Sequence, residues 1–254
     1  MSLTVPKSKA GGFFVGYYKK VPPDIALFCL GVGCFLVGAF AALSFGLATT
    51  TDDPVAASYI PGIHFSGTYR ALPYPMVRVA ADADHPGGHT LLLGGQGKAG
   101  AQQAGQGLEG ESVDVSGALL KRGSIDMLIV DTLEASKNTA SAASDTAVTA
   151  VGRWRIGGEI CDGKCKAGAM KPGAGLAHKA CANLCILGGL PPVLVTQEPV
   201  LGANFLLLAD ETGGPVPRGT LEDFVARPVN LEGAVERIGD VLVLKSDWKK
   251  AAFP

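Results

Sequence analysis

The sequence predicts a mainly β protein: one N-terminal transmembrane helix followed by two small OB-like β-barrel domains, the second with a Cys-rich insertion. Three observations carry that expectation. Residues 25–48 form a run of 24 residues without a charge. Two later blocks repeat one another's pattern of apolar runs and glycines. Short segments such as 113–116, with Val113 and Val115 against Asp114 and Ser116, have the period of strands buried on one face. The expected boundaries are an N-terminal segment 1–23, a helix 24–49, a linker 50–61, a first barrel 62–131, an Ala/Ser/Thr-rich linker 132–150 and a second barrel 151–254, whose insertion occupies 161–189.

The uncharged run makes about 36 Å of helix at 1.5 Å per residue, enough to cross a bilayer core of about 30 Å with some tilt. A secretory signal has an apolar region of only about 7–15 residues, so an uncleaved span is the expectation. Lys7, Lys9, Lys19 and Lys20 precede the run, while Asp52 and Asp53 follow it. Positive residues stay on the cytoplasmic side, which predicts an inner-membrane protein of a bacterium with its N-terminus inside and residues 50–254 in the periplasm. Phe13, Phe14, Tyr17 and Tyr18 lie beside the lysines as an interfacial anchor would. Cys34, Gly38, Ala42 and Gly46 recur every four residues, a small-residue stripe on which another helix can pack closely. Cys29 and Cys34 read as small apolar packing residues.

The repeat sets the barrels. The first block has LLLGG at 91 and VDVSGALLKRGSIDMLIV at 113–130; the second has LLLAD at 206 and VNLEGAVERIGDVLVL at 229–244. Gly117 and Gly123 are six positions apart, as are Gly233 and Gly239. Each block therefore reads as a strand, a connection and a β-hairpin whose turn holds Gly123 or Gly239. FSGTYRALPYPMVRV and VGRWRIGGEIC supply a further strand region upstream. So few short strands suit a small closed barrel of OB type better than a seven-stranded sandwich. From Gly67 to Leu91 is 24 positions, whereas from Gly158 to Leu206 is 48. The cysteine segment is thus an insertion in the second barrel.

The chain contains FFVGY before the helix, then PYPMVRV, LLLGGQGKAG and GEICDGKCKAGAMKPG…HKACANLCILGGLPPVLV. In these pieces it resembles a group of bacterial membrane-anchored periplasmic proteins of unassigned function. These have two OB-like blocks and a K-C-x-x-G-x-M-x-P-G…H-x-x-C-x-x-x-C segment. The resemblance covers nearly the whole chain and is most specific in the last piece. It implies that Cys165, His178, Cys181 and Cys185 belong to the shared pattern, while the position of Cys161 is often apolar in it.

Four cysteines and one histidine fall between Cys161 and Cys185. The spacings are C-x-x-x-C, which excludes haem attachment through C-x-x-C-H. AHKACANLCILGG reads as a short helix that ends at Gly188, with Pro191 and Pro192 beyond it. His178, Cys181 and Cys185 then share one face. In an oxidising periplasm the first expectation is disulfide pairing of Cys161 and Cys165 with Cys181 and Cys185, without a cofactor. The alternative is a metal site of Cys165, His178, Cys181 and Cys185, suited to zinc or copper. A redox-active dithiol is the third. His64, His85 and His89 read as solvated loop residues, and GGQGKAG as a hairpin connection lacking the Ser/Thr of a phosphate loop. Glu159, Asp162, Asp210 and Glu211 have no second acid placed for catalysis.

A net charge of −1 gives no electrostatic case for nucleic acid. No G-x-S-x-G, H-E-x-x-H or Walker motif occurs, so no enzyme is expected. The leading expectation is a non-catalytic accessory subunit of a bacterial membrane electron-transfer complex, respiratory or photosynthetic. Its partners would be other transmembrane subunits and the lipid bilayer. The alternative is a periplasmic metal-binding or thiol-redox protein acting in cofactor assembly.

Overall fold

The computed structural model describes residues 23–50, 56–83, 85–137, 147–248 and 253. The lysines and aromatics expected to flank the membrane, and Asp52 and Asp53, lie outside the described residues. Two compact units divide at Pro54.

The first unit contributes one helix, α1 (Pro23–Thr50). Residues 25–49 of it are long and apolar enough to cross a membrane. The helix is apolar all round: Leu27, Phe28, Phe35, Val37, Phe40 and Phe45 are all exposed. A helix without a polar face suits lipid rather than the surface of a soluble domain. Cys34, Gly38, Ala42 and Gly46 lie within it, and space is open around Gly38 and Gly46.

The second unit is β throughout except for the insertion. Its first barrel is built from β1 (Ser58–Arg70), β2 (Met76–Val79), β3 (His89–Gly94), β4 (Ser112–Arg122) and β5 (Ile125–Ala135), closed in the order β1-β2-β3-β5-β4. The second is built from β6 (Val148–Asp162), β7 (Pro192–Val200), β8 (Ala203–Ala209), β9 (Pro228–Ile238) and β10 (Val241–Lys245), closed as β10-β8-β7-β6-β9. Numbered within each barrel, the two orders are identical. In both, one parallel pair closes an otherwise antiparallel barrel: β3 on β5 through Leu93↔Leu128, and β8 on β10 through Leu208↔Leu244. This is the five-stranded OB-like arrangement expected from the repeat.

The repeated glycines have a shared cause. A Cβ on Gly117 would fall 2.0 Å from the carbonyl oxygen of Ile129, and one on Gly233 would fall 2.0 Å from that of Lys245. Only glycine lets the hairpin strands cross so closely at these places. Gly123 and Gly239 sit in the hairpin turns at φ of 62° and 58°, the left-handed region that glycine enters without strain.

Strands extend into both predicted linkers. β1 begins at Ser58, paired with Lys121, and β5 continues to Ala135, paired with Val113. β6 begins at Val148, paired with Ile238. Backbone pairing to a long partner strand overrides the weak β propensity of this Ala/Ser/Thr sequence.

The barrels are packed on one another. Leu91, Leu93, Leu128 and Val130 fill the first barrel, and Leu206, Leu208, Leu242 and Leu244 the second. The alternate residues face outward but are equally buried: Leu92, Met127 and Ile129 meet Phe205, Leu207, Val241 and Val243 in a third cluster shared by both barrels. Polar contacts reinforce it. Tyr74 Oη accepts a hydrogen bond from Val216 N at 2.9 Å, and Arg78 Nη1 lies 2.7 Å from Asp240 Oδ1.

Candidate metal centre

The insertion leaves the second barrel at Asp162, the last residue of β6, and returns at Pro192. In between, a single π-helical turn (Cys165–Ala169) is followed by a 3-10 turn (Leu176–His178) and a helix, α2 (Lys179–Leu187). The helix ends where glycines begin: Gly188 N and Leu190 N return hydrogen bonds to Leu184 O and Cys185 O. Cys181 and Cys185 are one turn apart on α2, and the π turn brings Cys165 to them. The three sulfurs lie within 4.8 Å of one another. Cys165 and Cys185 are buried, and Cys181 is partly open.

The first barrel closes the site. Its loop 95–100 rests on the end of α2, with Gly100 N donating to Gly188 O at 2.9 Å and Gln102 Nε2 to Gly189 O at 2.6 Å. Lys164 spans the same junction, donating to Gly95 O and Gly97 O, both at 2.8 Å. Lys98 Nζ is thereby held 2.8 Å from Cys181 Sγ and 3.6 Å from Cys185 Sγ. Met170 Sδ lies 3.2 Å from Cys181 Sγ. The site therefore presents three thiols, a thioether and one ammonium.

These neighbours bias the protons. The thiol of Cys165 hydrogen-bonds Cys185 and, with Lys98, outweighs the cost of burial, lowering Cys185 to about 7. Cys165, as the donor and buried, is pushed well up. The hydrogen bond to Cys181 raises Lys98, keeping it charged, whereas burial lowers Lys164. One thiol and one ammonium thus bias Cys185 toward the thiolate.

Behind the sulfurs stands a buried pair. Asp162 Oδ1 accepts from Cys165 N at 2.9 Å, fixing the π turn, and Asp162 Oδ2 lies 2.9 Å from His178 Nε2. Both side chains are almost fully buried. His178 Nδ1 has no hydrogen-bond partner. Donor atoms of Asp162, Cys165 and His178 also lie within 4.8 Å of one another.

The sequence-predicted residues thus divide. Cys165, Cys181 and Cys185 come together; His178 joins only the neighbouring group, sharing Cys165 with them. Cys161 does not join. Strand alternation directs it to the other side of β6 from Asp162, where its Sγ donates to Glu159 Oε1 at 3.3 Å and burial raises its pKa. All four cysteines of the segment are free thiols. The sulfur of Cys161 lies outside the group of three, although the residue packs in the same apolar cluster as Cys165 and Cys185.

Sequence reasoning missed Lys98, Lys164, Met170 and Asp162. GGQGKAG carried the signal for Lys98 as one of the resembling pieces, and K-C-x-x-G-x-M for Lys164 and Met170. Asp162 next to Cys161 gave no signal without the strand's facing. No family model, curated protein or solved structure matches this chain.

Proposed function

We propose that the chain is a membrane-anchored protein that binds a soft metal ion, copper(I) or zinc, through Cys165, Cys181 and Cys185. Of the two functions left open by the sequence, this is the alternative rather than the leading one. The observation that carries it is the convergence of three sulfurs from two separate elements within 4.8 Å. A disulfide set uses sulfurs in pairs, and here an odd third thiol shares the cluster. Thiolates and a thioether suit copper(I), and Met170 supports that ion. For zinc the fourth donor would be His178. A histidine whose one nitrogen is held by a carboxylate, as Asp162 holds Nε2, has its other nitrogen oriented for a metal. Lys98 offsets part of the negative charge that three thiolates would gather.

The test is metal content and titration of the full-length protein in detergent under reducing conditions. One copper(I) or zinc per chain is expected, and Cys185→Ser should abolish tight binding. No tight binding of either ion by the parent would overturn the reading.

The apolar exposed surface of α1 supports a second element of function. With its small-residue stripe against another helix, the chain would dock as an accessory subunit on transmembrane partners of an electron-transfer complex, with both barrels in the periplasm. Native purification separates the two. Co-elution with haem or pigment proteins supports the subunit; metal without partners supports a role in cofactor assembly. Protease added to right-side-out vesicles should remove the barrels, and full protection would refute the orientation.

A further inference from the structure

A second group of donors lies in the first barrel, outside the cysteine site. His89 is not a solvated loop residue: it is the first residue of β3 and only 5% exposed. Its ring is stacked on His85, with centroids 4.1 Å apart and planes 29° apart, and meets Phe65 edge-on at 5.7 Å. Nδ1 of this buried ring has no hydrogen-bond partner. Such an orphan in the interior is costly unless something else satisfies it. His85 is partly exposed and Asp82 exposed, so the group opens to solvent.

The loop between β2 and β3 is organised around these side chains. Asp82 Oδ1 accepts from His85 N at 2.6 Å and lies 3.2 Å from His85 Nδ1. Asp82 N and Gly88 N both donate to His85 O, at 3.1 and 2.8 Å. One donor atom from each of Asp82, His85 and His89 falls within 4.8 Å of the other two. The nearby cation, Arg78, is directed elsewhere, to Asp240, Thr90 and Gly87 O. Burial, and then the neighbouring His85, lower the pKa of His89.

We infer that Asp82, His85 and His89 form a second metal site, which takes a divalent transition ion through two imidazoles and one carboxylate. The donor set is harder than the cysteine cluster: nitrogen and carboxylate oxygen suit zinc, nickel or copper(II), not copper(I). The three protein donors leave positions open to water. Zinc suits both sites, whereas copper(I) suits only the cysteine cluster.

The experiment uses nickel(II) as probe, because thiolate sites and imidazole–carboxylate sites give it different spectra. Full-length protein without a histidine tag, carrying Cys165→Ser, Cys181→Ser and Cys185→Ser, is dialysed against nickel(II). One equivalent should bind, and His85→Ala should weaken it at least tenfold. Asp82→Asn should weaken it less. His85 and Asp82 reach solvent, so these variants should keep the parent's circular dichroism. To keep the test independent of the triple variant's folding, the parent with its cysteines alkylated is titrated beside it. Nickel bound equally well by His85→Ala, or not bound by either folded preparation, overturns the inference.

Discussion

Gly188→Ala is a sharp test of the junction between the barrels, because two effects of opposite sign compete there. Gly188 caps α2 at φ −73° and ψ −6°, a conformation that alanine adopts freely. Alanine is better than glycine in a helix by about 1 kcal/mol, so on backbone grounds the change stabilises. The packing opposes it. The new Cβ falls 2.0 Å from the carbonyl oxygen of Lys98, whereas ordinary contact begins at 3.4 Å, so loop 95–100 must retreat by the difference, 3.4 − 2.0 = 1.4 Å. Overpacking of this kind costs about 1–3 kcal/mol. Losing the hydrogen bond from Gly100 N to Gly188 O adds about 0.5–1.5 kcal/mol. The net loss is then about 0.5–3.5 kcal/mol, or about 1–14 °C in Tm for a unit of this size. The loop carries Lys98, so its 2.8 Å contact with Cys181 goes with it. Thermal denaturation of the reduced full-length protein in detergent measures the first effect, and iodoacetamide labelling of Cys185 the second. A Tm equal to or above the parent's, with unchanged labelling, would refute the close packing of the two barrels at this point.

In the metal-free parent, alkylation of Cys185 should rise with pH around a midpoint of about 7. The sign follows from the thiolate being the nucleophile: a lowered pKa leaves about half of it ionised at neutral pH, against about 3% for an ordinary thiol. Lys98→Met should move that midpoint upward, and a midpoint that stays put would show the ammonium has no part in it. Asp240→Asn removes one partner of Arg78, whose side chain is 9% exposed while that of Asp240 is 48%. With Asp240 half in water and Thr90 still bonded to the guanidinium, the loss should be about 1–2 kcal/mol, read as a lower denaturation midpoint. In α1, Gly38→Leu with Gly46→Leu should leave membrane insertion intact and weaken retention by transmembrane partners, measured by co-purification. Equal co-purification would rule the stripe out as the docking face.

The fold was legible where the chain repeats a constraint. Gly117 and Gly233 mark the same strand crossing, and Gly123 and Gly239 the same turn, so two copies of one pattern revealed two copies of one barrel. The packing of the barrels on each other was also written in the sequence, in a form easily passed over. An uninterrupted Leu91-Leu92-Leu93 or Leu206-Leu207-Leu208 has no polar face to offer water, which means both faces of the strand are buried. One face fills the barrel and the other meets its neighbour. The candidate site was legible only in part. Helical spacing put Cys181 and Cys185 on one face, but the contact of Lys98 with Cys181 joins residues 83 positions apart. It exists only once both barrels are closed and docked. Cys161 and Asp162 were indistinguishable until the facing of β6 was known.

That dependence also explains why a duplicated barrel is useful here. The insertion between Asp162 and Pro192, rich in glycine, has little core of its own, and three sulfurs on it would have many arrangements if it were free. The second barrel holds its ends at Asp162 and Pro192 and one face of α2, through Ala182 in its apolar core and hydrogen bonds from Lys179 and Asn183 to Asp223 O and Glu222 O. The first barrel supplies further restraints: the loop against Gly188, Lys98 over the thiols, and backbone carbonyls that accept hydrogen bonds from the buried ammonium of Lys164. The two copies have therefore diverged in role, one presenting the sulfurs and the other clamping them. The shared apolar cluster keeps that division in register, since Met127 of one barrel and Cys165 and Leu190 of the other lie in the same cluster. A change that loosens the docking would disperse the sulfurs without touching any of them.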